Sequence, residues 1–441
     1  MERDSFGSRF AVIMAFAGSA IGLGNIWRFP YMVGEGGGAV FVLIYVVSTV
    51  FIALPIFFAE SIIGRRSRSN CLGAMRSLAR GKRIWEAFGF LSVLTPMLIV
   101  SYYCVVGGWS FKFLLLSLGG KFSSADPASV RDIYGTFVDG TWGPALCFTV
   151  FLALTCLIPA FGIKSGIEKF SKVSMPVLFV IIVAVAAYSM SLPGSGEGVD
   201  YLFRPDLSKL SAKTVAMAVG QSFYSLSLGM GIIITYSSYV DRKENLIVSG
   251  VGTATASLLF SVLAGLAILP AVFAAGIEPG AGPGLIFETL PFIFSTMGAS
   301  APALSSIVAI LFFLTVLVAA LTSSISLVEV GISWLVEERG LSRKRATLLC
   351  FAACWALGLL CTNGSVFGTL DLFCSNVLMA INGLLGVIFV GWVLSPKEAS
   401  DELLSSGNCP GNRFFVKPVY WMIRYLAPVA ILAIFLSNII F

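Results

Sequence analysis

An apolar run that opens at Phe10 is long enough to cross a membrane as one helix. Yet it contains Gly18-Ser19-Ala20-Ile21-Gly22-Leu23-Gly24-Asn25-Ile26-Trp27-Arg28-Phe29-Pro30. A glycine costs about 1 kcal/mol in a helix interior, so Gly18, Gly22 and Gly24 are poor material for a straight rod. Asn25 and Arg28 add polarity at membrane depth, and Pro30 lacks a backbone donor. Inside a bilayer, irregular backbone persists only where protein or a water-filled cavity covers it. The stretch therefore reads as a broken membrane helix inside a bundle, with freed backbone groups that bind something.

The rest of the chain supplies that bundle. Of its 441 residues 57% are hydrophobic and only 12% charged, about half the charge of a soluble domain. A membrane span needs about 20 apolar residues. Eleven segments qualify, at approximately 10–33, 39–64, 85–118, 142–161, 166–192, 211–240, 247–275, 303–336, 346–361, 370–393 and 418–441. The loops between them alternate in charge. With the N-terminus inside, the inner side collects Arg9, the cluster from Arg65 to Arg83, Lys164, Lys169 and Lys172, and the cluster from Arg339 to Arg345. This asymmetry predicts a multi-pass protein of the cytoplasmic (inner) membrane, N-terminus in and C-terminus out. It also explains the net charge of +6 without a nucleic-acid surface. Residues 1–9 are short and polar, and no cleavable leader is expected. Histidine is absent, which excludes histidine metal sites and proton relays. The nine cysteines lie mostly in apolar runs without a CxxC pair. Cys350 and Cys354 share a helix face and read as small buried hydrophobes. No span carries a nucleophile–base pair or a metal-ligand set, so an enzyme is not expected.

The sixth segment breaks as the first does. Gln221, Ser222, Tyr224, Ser225 and Ser227 lead into Gly229-Met230-Gly231 at mid-span. Interrupted helices at matching places, five spans apart, point to an inverted-repeat transporter. The expected division is a first five-helix unit at 1–193, an inverted second unit at 194–394, and a cytoplasmic loop with the last span at 395–441. The second unit includes an outer connection at 271–302, in which 285–294 reads as a short helix over the mouth, a lid. A third polar stretch, Ala319-Ala320-Leu321-Thr322-Ser323-Ser324, lies in the eighth segment. Half-helix N-termini suit an anionic group. Unwound carbonyls with hydroxyl and amide oxygens suit a small hard cation such as Na+.

Four motifs together resemble the neurotransmitter:sodium symporter family. They are Gly18 to Pro30, Glu35-Gly36-Gly37-Gly38, Gly220 to Gly229, and Leu321-Thr322-Ser323-Ser324. The eleven-span length is similar to the family's bacterial branch of multi-substrate hydrophobic amino-acid transporters. The resemblance implies an all-α polytopic protein with a LeuT-type 5+5 inverted repeat and broken helices 1 and 6. It implies Na+-coupled symport of L-amino acids by alternating access, and no enzymatic chemistry. Its partners would be an amino acid, Na+ and the lipid bilayer, with the oligomeric state open. An alternative of another class is a sodium-dependent amino-acid sensor of the same fold without flux.

The resemblance also implies a site. One Na+ would be held by backbone oxygens of Gly18, Ile21 and Ala319 with the hydroxyls of Thr322 and Ser323. A second would use Ala20, Asn25, Ser225 and the substrate carboxylate. The family's further ligand in the seventh segment is usually Asn or Asp, and the aligned position here is Ser257. The carboxylate would meet the amides of Leu23 and Gly24 and the Tyr103 hydroxyl. The amine would meet carbonyls of Ala20, Tyr224 and Ser227, with Ser19 and Ser323 bordering the same pocket. Ile99, Tyr103, Tyr224, Met230 and Leu327 would surround the side chain. Monoamine carriers of the family place an aspartate where this chain has Gly22, so an amino acid is favoured. Arg28 and Asp371 match an outer gate pair. Arg3 and Glu337 match an inner one, where the family usually has Asp at the latter, assisted by Phe6, Ser238 and Tyr239. Tyr45, Gln221, Ser225 and Ser261 would hold Cl-, unless Glu60 or Glu329 titrates instead. Gly166 and Pro176, nine residues apart, look like the branch's unwinding motif in the fifth segment.

Overall fold

The computed structural model describes every residue except 1–3, 125–126, 278, 280–284, 299–300 and 441. Among the described residues, all regular structure is helical. The first span is two helices, α1 (Arg9–Ala20) and α2 (Gly24–Glu35), bent by 55°. Ser8 caps α1 by accepting the Ala11 N–H at 3.2 Å. The chain turns extended at Ile21 (φ −86°, ψ 97°), as the clustered glycines led one to expect. There follow α3 (Ala39–Ser67), α4 (Ile84–Leu118), α5 (Trp142–Ala160) and α6 (Ile163–Met190). The second broken span is α7 (Ala212–Ser225) and α8 (Ile232–Ser237). Then come α9 (Leu246–Ala274), α10 (Pro302–Arg339), α11 (Arg343–Leu360), α12 (Gly364–Val393) and α13 (Pro410–Leu436).

By length and composition, eight of these helices can cross a membrane, or nine if the bent pair is one span. The expected eleven adds two that fall short for local reasons. The halves of the second broken span have only 14 and 6 residues. Helix α11 has 18 residues and opens on Arg343, Lys344 and Arg345.

The second break is a tightly constrained stretch of backbone. Ser227 (φ 54°), Gly229 (φ 72°) and Gly231 (φ 67°) all sit in the left-handed region. A Cβ at Gly229 would lie 2.2 Å from the Met379 carbonyl, and one at Gly231 2.2 Å from that of Ser92. Both glycines are thus demanded twice, by conformation and by close approach. Ser227 is not a glycine and is strained there. Its hydroxyl donates to the Ser19 carbonyl at 2.7 Å, which ties the two breaks together. Peptide groups freed at the break find side-chain partners. Gly229 N–H donates to Glu60 of α3 at 2.7 Å, and Asn382 of α12 donates to the Gly229 carbonyl at 3.0 Å.

Around these breaks, α10 packs along α4, and α6 packs against α9. Large apolar side chains such as Leu43, Val47, Val180 and Leu259 point outward, as lipid-facing residues must. The helix in the outer connection runs Thr289–Gly298, four residues later than expected. Leu285, Ile286 and Phe287 instead turn inward and are fully buried. The Phe287 ring packs against Trp27, Trp109, Phe113 and Tyr134, with centroids 5.2–6.2 Å apart.

A short helix at Pro396–Leu403 is started by a capping box between Ser395 and Glu398. The Ser395 N–H and hydroxyl hold the Glu398 carboxyl down at about 2, helped by Arg66. This helix delivers Glu402 to Arg65 at the end of α3. Arg65 is fully buried. Its Nε donates to the Glu402 carboxylate at 2.8 Å, and its Nη1 to the Glu244 carbonyl at 2.7 Å. Its Nη2 reaches the Glu402 carbonyl.

Removing one partner of a buried pair leaves an uncompensated charge, at a cost of about 3–5 kcal/mol. Glu402→Gln should therefore lower the thermal unfolding midpoint in detergent by roughly 5 °C or more. Glu398→Gln, which breaks a half-exposed pair with Arg66, should change it far less. Equal midpoints for the two variants would contradict the buried pairing.

Candidate functional site

The two breaks, α4 and α10 meet at one small cavity of about 20 Å³, on the order of one water molecule in size. It is lined by Ser19, Ala20, Gly24, Ile99, Tyr103, Tyr224, Ser227, Met230, Ile232, Ser323 and Leu327. All but Ile232 are residues that the sequence nominates. The cavity has a polar end and an apolar end. At the polar end the Leu23 N–H donates to the Tyr103 hydroxyl at 3.1 Å. Ile99, Met230 and Leu327 form the apolar end. A Cβ at Gly22 would lie 2.2 Å from Ser323 Oγ and 2.8 Å from the Tyr103 hydroxyl. A Cβ at Gly24 would lie 2.7 Å from the Tyr224 ring. Both glycines are therefore what lets the first break approach these side chains.

Oxygen atoms gather on either side of this cavity. Toward α10, Thr322 Oγ1 lies 2.9 Å from the Ala319 carbonyl and 3.4 Å from that of Ile21. Ser323 Oγ lies 3.2 Å from the Ser19 carbonyl and 3.5 Å from that of Ile21. Gly18 backs onto Thr322, where a Cβ would come within 3.6 Å of the threonine Cβ. Carbonyls and hydroxyls without a fixed carboxylate suit a hard monovalent cation.

Toward α9, Asn25 is fully buried. Its amide nitrogen donates to Ser257 Oγ and Ser261 Oγ, both at 2.9 Å, and to the Ser257 carbonyl at 3.2 Å. Ser257 Oγ in turn donates to the Ser225 carbonyl at 3.1 Å. Among the described residues the Asn25 Oδ1 has no donor, and a buried acceptor of this kind fits a cation. Ser257 thus stands where the aligned position placed it, beside Asn25.

The nominated anion residues only partly converge. The Tyr45 hydroxyl donates to Ser225 Oγ at 3.0 Å and lies 3.1 Å from Ser261 Oγ. The Gln221 amide nitrogen is turned to the Gly24 carbonyl at 2.7 Å. Glu60 grips the second break at Gly229 instead of joining this group.

Above the cavity opens a vestibule of about 450 Å³, bordered by Arg28, Tyr31, Tyr102, Trp109 and Asp371, with Tyr103 and Tyr224 at its floor. The Arg28 guanidinium lies 4.8 Å over the Tyr224 ring, a cation–π contact. Asp371 accepts from Ser375 Oγ at 3.2 Å. Arg28 and Asp371 share this vestibule, but among the described residues they form no ion pair.

Below the cavity the protein is closed. Phe6 packs edge-on against Tyr236 and Tyr239, with centroids at 6.0 and 6.2 Å, and its N–H donates to the Tyr239 carbonyl. The Tyr239 hydroxyl donates to the buried Glu329 at 2.9 Å. Arg343 meets the other Glu329 oxygen and also donates to the Pro159 carbonyl at 2.6 Å. Gly7 N–H donates to Glu168 of α6 at 2.9 Å, and Lys172 pairs with the same carboxylate at 2.5 Å. Glu337 accepts from Asn70 N–H and Nδ2 at 2.8 and 3.0 Å. Arg3, its nominated partner, lies outside the described residues. Ser238 donates to the Thr235 carbonyl. Gly166 and Pro176 both lie within α6, which is helical from Ile163 to Met190. A Cβ at Gly166 would sit 2.2 Å from the Ile158 carbonyl, so this glycine also serves close packing on α5.

Arg343 and Glu168 were not nominated from sequence. The signal for Arg343 was a membrane-buried Glu329 in need of a cation. Nothing local in the sequence marks Glu168.

This is a helical membrane protein with a closed site between two broken helices. A family model described as the sodium:neurotransmitter symporter family matches residues 3–127 and 138–441. An uncharacterized sodium-dependent transporter of Haemophilus influenzae is 35% identical over 461 aligned residues, 99% of this chain and 98% of its own length. The sodium-dependent transporter YhdH of Bacillus subtilis is 34% identical, covering 98% of this chain and 97% of its own. The crystal structure of MhsT in complex with L-phenylalanine matches with a TM-score of 0.90 at 36% identity, over 99% of this chain and 100% of that one. The chain belongs to the sodium:neurotransmitter symporter family, with its LeuT-type fold, and such proteins are transporters, not enzymes.

A ligand that binds the folded protein stabilises it by mass action. Na+ should therefore raise the unfolding midpoint of this protein more than choline does. Thr322→Val keeps the shape and removes one oxygen. It should raise the Na+ concentration for half-maximal stabilisation about tenfold, a loss of about 1.4 kcal/mol. An unchanged Na+ dependence would remove Thr322 from the cation site.

Proposed function

We propose that this protein imports hydrophobic or aromatic L-amino acids together with Na+ by alternating access. The observation that carries the reading is the split cavity: the Leu23 amide and Tyr103 hydroxyl at one end, and Ile99, Met230 and Leu327 at the other. A carboxylate accepts from both polar donors. An apolar side chain fills the opposite end, and Met230 adapts to several shapes. The phenylalanine named for MhsT has this chemistry. At Gly22 there is no carboxylate for a bare amine to pair with. Ser19, Ala20, Gly24, Tyr224, Ser227 and Ser323 complete the binding residues.

Two Na+ are proposed. One is held by Gly18, Ile21, Ala319, Thr322 and Ser323. The other is held by Ala20, Asn25, Ser225 and Ser257, with the substrate carboxylate as a further ligand. Sharing that carboxylate couples the two solutes, because each raises the other's affinity by the same factor. The Tyr45, Ser225 and Ser261 hydroxyls support Cl- as a second-order partner, with Gln221 joining only if its amide leaves the Gly24 carbonyl.

The vestibule is the outer path, closed when Arg28 meets Asp371 over Tyr103 and Tyr224. The inner path opens when Phe6, Tyr239, Glu329 and Arg343 separate and the cytoplasmic half of α6 between Gly166 and Pro176 unwinds. Arg3 and Glu337 are a further inner pair in this reading. Gates at both ends favour flux over a sensor. The two five-helix units, 1–193 and 194–394, would rock against one another in the inner membrane. The remainder, 395–441, lies outside the repeat and ends outside.

Reconstituted vesicles test this directly. Phenylalanine uptake should require an inward Na+ gradient and be competed best by apolar and aromatic amino acids among the twenty. Gly22→Asp places a carboxylate against Ser323 and Tyr103 and should abolish that uptake. Uptake that ignores Na+, or survives Gly22→Asp, would refute the carboxylate placement.

A further inference from the structure

Helix α13 is the least buried of the eight membrane-length helices, and it carries Arg424 on the flank that meets α12. The fold holds this residue in place. The Trp392 Nε1 of α12 donates to the Arg424 carbonyl at 3.3 Å. Gly391 lets the two helices close, since a Cβ there would lie 3.0 Å from the Arg424 Cα. One turn earlier on α13, the Tyr420 hydroxyl donates to the Gly391 carbonyl at 3.2 Å. The Arg424 guanidinium then lies 4.7 Å over the Trp392 ring and 5.6 Å over the Tyr425 ring. Trp392 and Tyr425 are 58% and 46% exposed, so the stack opens onto the lipid-facing surface.

The charge in this stack is unanswered. A guanidinium has five N–H donors. None of those on Arg424 meets an acceptor among the described residues, and its Nε is buried as well as unpartnered. The sequence has no Asp or Glu after Glu402. Among the described residues, Arg424 takes part in no ion pair. The segment from Tyr425 to Ile440 is helical and carries no charge. It is about 24 Å of helix, close to the thickness of a hydrocarbon core, which puts Arg424 at headgroup depth.

A cation held at that depth is costly without an anion, and on a lipid-facing surface the anion at hand is a phospholipid phosphate. We propose that Trp392, Arg424 and Tyr425 bind the headgroup of an anionic diacyl phospholipid. The guanidinium fork takes two phosphate oxygens. Arg413 and Lys417 are exposed and lie on the same face of α13, eleven and seven residues before Arg424. They repel a choline group and favour a headgroup of net negative charge. The acyl chains lie along the exposed Leu432 and Leu436.

Native mass spectrometry of the full-length protein in detergent reads this binding, with phosphatidylglycerol and phosphatidylcholine of the same chains as probes. A single phosphatidylglycerol should bind saturably, about tenfold more tightly than phosphatidylcholine. Arg424→Gln should remove that preference. Arg424→Lys, which keeps the charge and loses the fork, should retain only part of it. Lys417→Gln changes an exposed side chain and should weaken phosphatidylglycerol alone by about threefold, the scale of one exposed charge pair. Arg345→Gln, on a helix packed against α4, α5 and α10, should leave both lipids unchanged. Equal affinity for the two lipids, unsaturable binding, an intact preference in Arg424→Gln, or an equal loss in Arg345→Gln would each overturn the proposal. Should Arg424→Gln fail to fold, unchanged phosphatidylglycerol affinity in Lys417→Gln would overturn it.

Discussion

Peptide groups freed at Ile21–Leu23 and Leu226–Gly231 must find partners without water, and much of the rest of the molecule is arranged to supply them. An unpaired backbone group in hydrocarbon costs several kcal/mol, so two broken spans are tolerable only inside a bundle. The partners come from helices distant in sequence: Glu60 and Asn382 at Gly229, Gln221 at Gly24, Tyr103 at Leu23. Ser227 holds a strained backbone and closes on the Ser19 carbonyl, which ties the two breaks together. Partners that remain uncommitted define the site. The Asn25 Oδ1 is such an atom. The Thr322 hydroxyl is bonded to the Ile21, Val318 and Ala319 carbonyls and the Ser323 hydroxyl to those of Ser19 and Ile21.

The same logic separates the two sides of the protein. At the vestibule end, Arg28 and Asp371 face one another across an open space, held by Tyr224 and Ser375 rather than by each other. At the opposite end, Phe6, Tyr239, Glu329 and Arg343 are fully engaged, and Gly7 is tied to Glu168 on α6. The seal is weak at the vestibule end and strong at the opposite end, with the central cavity closed between them. Moving the other way requires exchanging one set of polar contacts for the other. In the proposed function, coupling to ions that share ligands with the substrate would supply a physical reason for that exchange.

Much of this was legible in the chain because it is written locally. Clustered glycines at 18, 22 and 24 and the pair at 229 and 231 announce breaks, and both breaks are present. The membrane character and the polar stretch at Thr322–Ser323 follow from composition and position. Three things were not legible. Long-range pairings such as Arg343 with Glu329, or Glu168 with Gly7, leave no periodic trace in sequence. Orientation is invisible too: Gln221 faces Gly24 rather than Tyr45's hydroxyl cluster. Finally, Leu285–Phe287 read as part of a helix by hydrophobicity. Tertiary packing against Trp109 and Tyr134 turned those residues inward and delayed the helix to Thr289.

The central claim is that the two breaks make one site in which cation and amino acid share ligands. Equilibrium binding of phenylalanine at increasing Na+, and of Na+ at increasing phenylalanine, tests it most directly. The account predicts that each solute tightens the other by the same factor, and that Asn25→Ala collapses that factor toward one. Phenylalanine affinity that is the same in Na+ and in choline would contradict it.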